Sequence, residues 1–219
     1  MHTAMILAAG RGERLRPLTD SIPKALCTIN TIPLIEYHVI NLAKAGFSRV
    51  VVNHAHLGGM IRQHLENGGR FGVDIEYSPE TPGGLETGGG IVNALPLLGN
   101  EPFITVNADI YTDYQFANLQ LPQDSLIHLV LIQKPAYASH GDFGLDAHFK
   151  LENNNREYTF PGIAAYRPEV FAHLRVGRYS VVPLMRETAD KNLATGEVFS
   201  GKWFDIGTAE RLAWANQHG

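Results

Sequence analysis

Short apolar strands alternate with amphipathic helices from residue 4 to residue 133, and this alternation restricts the fold of the chain more than any other pattern. The predicted strands are the segments 4–8, 49–53, 73–77, 102–107 and 127–133. The predicted helices between them are the segments 33–45, 56–66, 87–95 and, more briefly, 113–119. Alternating strands and helices build a parallel sheet that is covered on both faces. The sequence therefore predicts an α/β fold with a Rossmann-like, mostly parallel sheet flanked by helices.

The pattern becomes less regular after residue 134. Segments 143–151 and 157–166 indicate two strands, paired through a turn at 152–156. A helix at 181–191, a strand at 202–206 and a final helix at 208–216 follow, the last of them capped by Thr208. We expect one domain spanning 1–219, in which approximately residues 135–170 form a small β-rich lid.

Composition excludes several classes of protein. The 219 residues carry 18 Lys and Arg against 22 Asp and Glu, a formal charge of −4 that argues against a general nucleic-acid binder. Cys27 is the single cysteine, so an internal disulfide is not possible, and the ten histidines are scattered without the spacing of a zinc site. No run approaches the ~20 apolar residues of a membrane-spanning helix. The run at 4–9 is too short for a signal peptide. We expect a cytoplasmic protein with no membrane partner.

A glycine-rich cationic loop follows the first strand. Gly10 and Gly12 let backbone N–H groups approach a polyphosphate closely. Positive charge comes from four side chains of the same loop: Arg11, Arg14, Arg16 and Lys24. The loop lacks the third glycine of a dinucleotide-binding fingerprint and the Gly-Lys-Ser/Thr of a P-loop. It therefore predicts a phosphate-handling enzyme of another kind.

Five motifs together resemble the sugar-phosphate nucleotidylyltransferases. The longest is LAAGRGERLRPLT at 7–19, followed by Pro23-Lys24. The others occur in the family's order and extend the resemblance over nearly the whole chain: LETGGG at 85–90, VNAD at 106–109, FPGI at 160–163 and WFDIGT at 203–208. The resemblance implies a GT-A-like nucleotidyltransferase fold whose lid binds sugar. It also implies a Mg²⁺-dependent enzyme that transfers a nucleotide to a sugar 1-phosphate.

The same resemblance assigns the catalytic groups. Asp109 and Asp205 are the expected Mg²⁺ ligands, since carboxylates are hard oxygen donors. Arg14 is expected to stabilise charge on the reacting and leaving phosphates, and Lys24 to hold the α-phosphate or the sugar phosphate. The alternative for the two acids is a role in strand-end turns or helix caps. The alternative for the two cations is a solvated loop surface.

The resemblance also places residues beside the nucleotide. The backbone of Ala9, Gly10 and Gly12 is expected to approach the phosphates, and the main chain of Gly88 is expected to read the edge of the base. Glu80 is a further candidate for the base pocket, with an exposed loop carboxylate as its alternative.

The residues expected to contact the sugar or its phosphate are Asn107, Asp142 and Gly162. For Asp142 a turn-stabilising role is the alternative. Ala108 stands where many relatives have glycine, which is tolerable if the backbone φ angle is negative there.

The short length, the triple-glycine loop and Gly141-Asp142-Phe143 are similar to a branch of the family that acts on a muramic acid derivative. This implies UTP and N-acetylmuramate α-1-phosphate as substrates, a place in peptidoglycan recycling, and a monomer or weak homodimer. The lactyl carboxylate of muramate needs a cationic or amide partner, for which His54, Asn53 and Arg156 are candidates. The alternatives are a mannose-1-phosphate guanylyltransferase, a glucose-1-phosphate thymidylyltransferase, or a non-catalytic sensor of nucleotide sugars.

Overall fold

A mixed sheet of eight strands forms the centre of the molecule in this computed structural model, which describes residues 1–135 and 138–218. The strands of this sheet and of three two-stranded sheets are β1 Thr3–Leu7, β2 Thr28–Ile29, β3 Ile32–Pro33, β4 Arg49–His54, β5 Asp74–Pro79, β6 Phe103–Asn107, β7 Ile110–Thr112, β8 Ile127–Gln133, β9 Gly144–Leu145, β10 Leu151–Glu152, β11 Tyr158–Thr159, β12 Ile163–Tyr166, β13 Ala194–Val198 and β14 Trp203–Asp205. The α-helices are α1 Leu18–Ser21, α2 Leu34–Lys44, α3 Gly58–Leu65, α4 Glu86–Leu98, α5 Val182–Asp190 and α6 Ala209–His218.

The parallel half of the sheet has the order β5-β4-β1-β6, and the order continues through β12 and β8 to β11. β12 is antiparallel to both of its neighbours, β6 and β8, while β13 lies parallel to β8. The predicted α/β class with a mostly parallel sheet is confirmed. Because β1, β4 and β6 run in the same direction, their carboxyl ends meet at one edge of the sheet.

Two apolar cores cover the faces of the sheet. Along β1 and β4 the side chains alternate, so that Ile6 and Val52 belong to one core and Met5 and Val51 to the other. All four are fully buried, and burial of such a side chain contributes ~1.5–3 kcal/mol. Helix α2 covers the first face, and helices α4 and α5 cover the second. This packing fixes the strand ends on which the loops rest.

Several predicted elements are confirmed with shifted bounds. Helix α4 starts at Glu86 and continues through Pro96 to Leu98, beyond the predicted end at residue 95. The hydroxyl of Thr208 accepts the N–H of Arg211 at 3.3 Å, so Thr208 caps α6 as predicted. The helix predicted at 113–119 is wrong, because only a 3₁₀ turn at Phe116–Asn118 forms between extended flanks.

The predicted pairing of 143–151 with 157–166 is confirmed only at one antiparallel bridge, where Phe143 and Tyr158 exchange backbone hydrogen bonds at 3.1 and 3.0 Å. Elsewhere the short strands β9 and β10 pair with each other, whereas β11 and β12 join the central sheet beside β8. The physical reason is burial. The apolar residues of Ile163–Tyr166 are almost fully buried and fit between two strands, where a lid would leave them exposed. Part of the segment 135–170 is therefore sheet, and its division from the rest of the domain stays a prediction.

Strand β13 was not predicted, because Ala-Thr-Gly-Glu-Val shows little apolar alternation. Within the described part of the chain, the structure contains no helix with the length and apolar character needed to cross a bilayer.

Candidate active site

A cleft of about 860 Å³ opens at the carboxyl ends of the parallel strands. Ala9 and Gly10, which follow β1, line it together with Asn53 at the end of β4 and Asn107 at the end of β6. Glu80, directly after β5, lines it as well. A volume of this size accommodates a nucleotide-sized ligand. The cleft lies where open α/β sheets bind their ligands.

The two glycines of the cationic loop have different roles. No atom lies within 4 Å of the position that a Cβ of Gly10 would occupy, so its backbone faces open space in the cleft. Gly12 has a φ of +73°, and a Cβ there would lie 3.0 Å from Thr19 Cγ2 and 3.1 Å from Lys24 Cβ. Gly12 therefore bends the loop and brings Lys24 close, and its approach to the nucleotide stays a prediction.

Two of the four loop cations stabilise the loop itself. The guanidinium of Arg11 donates to the carbonyl of Thr19 at 2.6 Å and to Asp20 Oδ1 at 2.7 Å. Arg16 pairs with the same carboxylate at 2.9 Å. The hydrogen bond from Arg11 lowers the pKa of Asp20 below its ordinary value. Arg11 and Arg16 are therefore held by acids and a carbonyl of their own loop, although Arg11 also lines the cleft.

The other two cations lie beside acids. The side chain of Lys24 is nearly buried, and its ammonium contacts Asp109 Oδ2 at 2.5 Å. Arg14 is exposed and makes no hydrogen bond or ion pair within residues 1–135 and 138–218. A Cβ on Gly207 would lie 2.9 Å from Arg14 Nη2 and 3.0 Å from Asp205 Oδ2. Arg14 and Asp205 therefore approach each other across Gly207, which has no side chain to separate them.

Strand pairing brings the two acids together from distant parts of the chain. β14 is antiparallel to β7, with Asp205 opposite Ile110. The N–H of Ile206 donates to the carbonyl of Asp109 at 2.9 Å. The carboxylate of Asp205 also pairs with Arg211 from the first turn of α6. Sequence reasoning missed Arg211, because nothing in its spacing indicates that α6 folds back over the acid.

The donor set of this pair fits Mg²⁺. Mg²⁺ is commonly held by one or two carboxylates, with water and substrate phosphates completing its octahedron. Asp109 and Asp205 supply two such carboxylates on adjacent backbone segments. In the part of the chain that the structure describes, no cluster of three or more His, Cys, Asp or Glu side chains forms a complete metal site. The residues therefore suit a metal that arrives with phosphate ligands.

A buried histidine supports the strand that carries Asp109. His38 of α2 donates its Nε2–H to the carbonyl of Ile110 at 2.9 Å. Burial lowers the pKa of His38 to about 4, so the ring is neutral at pH 7. Sequence reasoning grouped His38 with the ordinary histidines and gave it no position at the site.

Asn53 connects three segments around the cleft. Its Oδ1 accepts the N–H of Ala8 at 2.7 Å, and its Nδ2 donates to Glu80 Oε1 at 2.6 Å. The second oxygen of Glu80 accepts the N–H of Leu85 at 2.6 Å. These bonds use one of the two N–H donors of the Asn53 amide, so a contact of Asn53 with the lactyl group stays a prediction. Asn53 and Glu80 together fix the loop before α4.

The structure places Gly88 outside the cleft. Its N–H donates to the carbonyl of Tyr179 at 3.0 Å, and a Cβ there would lie 2.7 Å from the Tyr179 ring. The expectation that Gly88 reads the base is therefore corrected: it lies in the first turn of α4 and packs against a different segment of the chain.

Two of the three expected sugar contacts lie together. The N–H of Asn107 donates to the carbonyl of Gly162 at 2.9 Å, and a Cβ on Gly162 would lie 2.4 Å from Asn107 Nδ2. Asp142 does not line the cleft, and its carboxylate accepts the N–H of Phe160 at 2.8 Å. This contact joins two segments that are 18 residues apart and does not close a local turn, so a contact of Asp142 with the sugar stays a prediction. Ala108 avoids the left-handed region, so its methyl is tolerated.

Comparison with known proteins gives four matches that each cover most or all of the chain. A model of the nucleotidyl transferase family matches residues 3–145. An N-acetylmuramate alpha-1-phosphate uridylyltransferase of Neisseria meningitidis serogroup B is 45% identical, over 95% of this chain and 94% of the relative. A protein of the same name from Caulobacter vibrioides is 31% identical, over 93% and 91%. The structure of a UDP-glucose pyrophosphorylase complexed with UDP-glucose superposes with a TM-score of 0.81 at 19% identity, over 100% of this chain and 98% of the other.

Proposed function

This chain belongs to the nucleotidyl transferase family, and from that membership we propose that it transfers UMP from UTP to N-acetylmuramate α-1-phosphate, releasing pyrophosphate. The observation that carries the choice of substrates is the near full-length match to the Neisseria uridylyltransferase. The product, UDP-N-acetylmuramate, would return a salvaged sugar to cell-wall synthesis, as in peptidoglycan recycling. UTP is a cytoplasmic metabolite, and we place the reaction there. Monomer or weak homodimer remains our expectation.

The reaction is an in-line displacement at the α-phosphorus of UTP. An oxygen of the sugar phosphate forms the new bond to phosphorus, and the bond from phosphorus to the bridging oxygen of the β-phosphate breaks. The electron pair of that bond leaves with pyrophosphate. The nucleophile is already ionised, so the protein needs no general base. It has to bring two polyanions together, align them and neutralise their charge.

Four charged groups on the segments that continue from the lining residues Gly10 and Asn107, and on the strand paired with β7, suit that task. Lys24 provides a compact charge for the α-phosphate or the sugar phosphate, and Arg14 provides a planar set of donors for the phosphates that react and leave. Asp109 and Asp205 would hold Mg²⁺. Bound there, the ion would supply positive charge and orientation for phosphate oxygens. Each acid has a cationic neighbour in the ligand-free protein, Lys24 for Asp109 and Arg211 for Asp205.

The remaining lining residues divide between the two substrates. The open backbone at Ala9 and Gly10 suits the triphosphate, and the loop fixed by Glu80 suits the base. Asn107, which Gly162 holds in place, suits the sugar phosphate because its amide both donates and accepts hydrogen bonds.

A substrate panel tests this function. UTP, GTP and dTTP are each combined with N-acetylmuramate α-1-phosphate, mannose 1-phosphate and glucose 1-phosphate in Mg²⁺, and pyrophosphate release is measured. We expect the highest kcat/KM for UTP with N-acetylmuramate α-1-phosphate. A preference for GTP with mannose 1-phosphate, or for dTTP with glucose 1-phosphate, would reassign the substrates. Tight binding without turnover of any pair would favour the sensor. The Asp109→Asn variant, purified identically, controls for contaminating activity.

A further inference from the structure

Two of the three glycines at the start of α4, Gly88 and Gly89, are explained by a segment that packs against them from outside the cleft. The N–H groups of Gly88 and Gly89 both donate to the carbonyl of Tyr179, at 3.0 and 3.2 Å, and the N–H of Tyr179 donates to the carbonyl of Leu85 at 3.1 Å. A Cβ on Gly89 would lie 1.7 Å from the carbonyl oxygen of Gly177. No side chain fits there. The glycines allow residues 177–179 to dock directly on the backbone of the helix.

This docking places Arg178 at the cleft. Arg178 lies between the two docked residues, Gly177 and Tyr179, and its side chain lines the cleft. Its Nε is 3.4 Å from a carboxylate oxygen of Glu86, and the two side chains are 65% and 49% exposed. An ion pair this open to water contributes little and is readily exchanged for another anion. The guanidinium carries five N–H donors, so most of them remain available to a ligand.

The other basic side chains that line the cleft are already engaged. Arg11 donates to the Thr19 carbonyl and to Asp20. The ring of His56 contacts the same Thr19 carbonyl at 3.0 Å. Among the described residues that line the cleft, Arg178 is therefore the arginine with one exposed acidic partner and no hydrogen bond, whereas Arg11 is held by a backbone carbonyl and by Asp20.

We propose that Arg178 binds the lactyl carboxylate of N-acetylmuramate α-1-phosphate and thereby selects this acceptor over N-acetylglucosamine 1-phosphate. This inference rests on the proposed function. The two sugar phosphates differ only in the lactyl ether, which adds one carboxylate to the sugar ring. A planar guanidinium matches a carboxylate through two parallel hydrogen bonds. The sequence offers no sign of this role, because Arg178 belongs to none of its five motifs.

The test compares kcat/KM for the two sugar phosphates at saturating UTP. Arg178→Ala should lower kcat/KM for N-acetylmuramate α-1-phosphate by about 10- to 100-fold, as expected for loss of a charged hydrogen bond. The value for N-acetylglucosamine 1-phosphate and the Kd for UTP should stay within about twofold, because neither depends on the lactyl group. Where turnover of N-acetylglucosamine 1-phosphate is too slow, its inhibition constant replaces kcat/KM. Arg178→Lys should recover part of the loss.

Arg175→Ala is the matched control. Arg175 lies two residues before the docked segment and is exposed, but it does not line the cleft. Its replacement should therefore leave kcat/KM for both sugar phosphates unchanged. An equal loss for both sugar phosphates in Arg178→Ala, or a weakened Kd for UTP, would assign Arg178 to the triphosphate or to the fold and overturn the proposal. The wild-type protein tests the proposed function separately from the role of Arg178. If its kcat/KM is not higher for N-acetylmuramate α-1-phosphate than for N-acetylglucosamine 1-phosphate, the proposed function is wrong, whatever the variants show.

Discussion

The ammonium of Lys24 lies 2.5 Å from Asp109 Oδ2, although the two residues are 85 positions apart in the chain. The contact joins the cationic loop after β1 to the turn after β6. It places a candidate phosphate-binding cation and a candidate metal ligand within one hydrogen bond of each other. A phosphate that enters the site therefore meets positive charge already fixed beside the acid, and little reorganisation is needed.

Loss of the Asp109 charge should impair turnover more than stability. Asp109→Asn keeps an oxygen that can accept from Lys24 but weakens metal binding, so kcat/KM should fall by about 100-fold in saturating Mg²⁺. Asp113→Asn is the control, since Asp113 accepts the N–H of Lys202 away from the cleft. Kinetics and Mn²⁺ titration of both variants provide the measurement. Wild-type activity in Asp109→Asn would remove Asp109 from the metal site.

Two arginines of one loop should respond differently to truncation. Arg14→Ala removes the donors that we propose stabilise charge on the reacting phosphates, so it should lower kcat/KM by about 100-fold. Arg16→Ala removes an exposed partner of Asp20 and should change kcat/KM by less than about twofold. Steady-state measurement of kcat/KM for the two variants tests this difference. Equal effects would mean that the loop contributes only its overall charge.

Gly162 should tolerate no side chain, for two separable reasons. Its φ is +98°, and a Cβ would meet the amide of Asn107 at 2.4 Å. We expect Gly162→Ala to lower the free energy of unfolding by ~2–4 kcal/mol and to raise KM for the sugar phosphate. Gly46 has a similar φ of +88° with nothing within 4 Å of its Cβ position. Gly46→Ala should therefore cost only ~1–2 kcal/mol and leave KM unchanged. An unchanged KM in Gly162→Ala would separate this glycine from the sugar site.

His38 should make the protein sensitive to acid. Burial lowers its pKa to about 4 in the folded state, against 6.5 for an ordinary histidine. Between these values the unfolded chain binds a proton that the folded chain does not, so the free energy of unfolding falls as pH drops through this window. The loss should reach about 3 kcal/mol near pH 4. His38→Gln keeps a donor for the Ile110 carbonyl and should reduce the slope. Denaturant unfolding from pH 4 to pH 7 measures it. An identical slope in the variant would contradict the assignment.

The sequence predicted the parts of the molecule that depend on local patterns. β1, β4 and β6 form within one or two residues of their predicted bounds, because each is a short apolar run beside a turn signal. The motifs also placed Arg14, Lys24, Asp109 and Asp205 in one region, and their assigned roles stay predictions.

Local sequence patterns could not predict the contacts between segments that are distant in the chain. Ile163–Tyr166 looks the same in sequence whether it pairs within a hairpin or between two strands of a sheet, and only the latter occurs. Gly88 could face a ligand or another segment, since a glycine shows that something is close without showing what. Arg178 and Arg211 reach the site through the docking of 177–179 and of α6, which no spacing rule indicates.

The pairing of β14 with β7 has a consequence for the newly made protein. A nascent chain that has not yet reached residue 203 can form the cationic loop and present Asp109, but it lacks the second acid. Since domains assemble from the amino terminus during translation, the proposed metal-binding pair is completed only after Asp205 has emerged and β14 has paired with β7. Catalytic competence would therefore be withheld until that pairing forms.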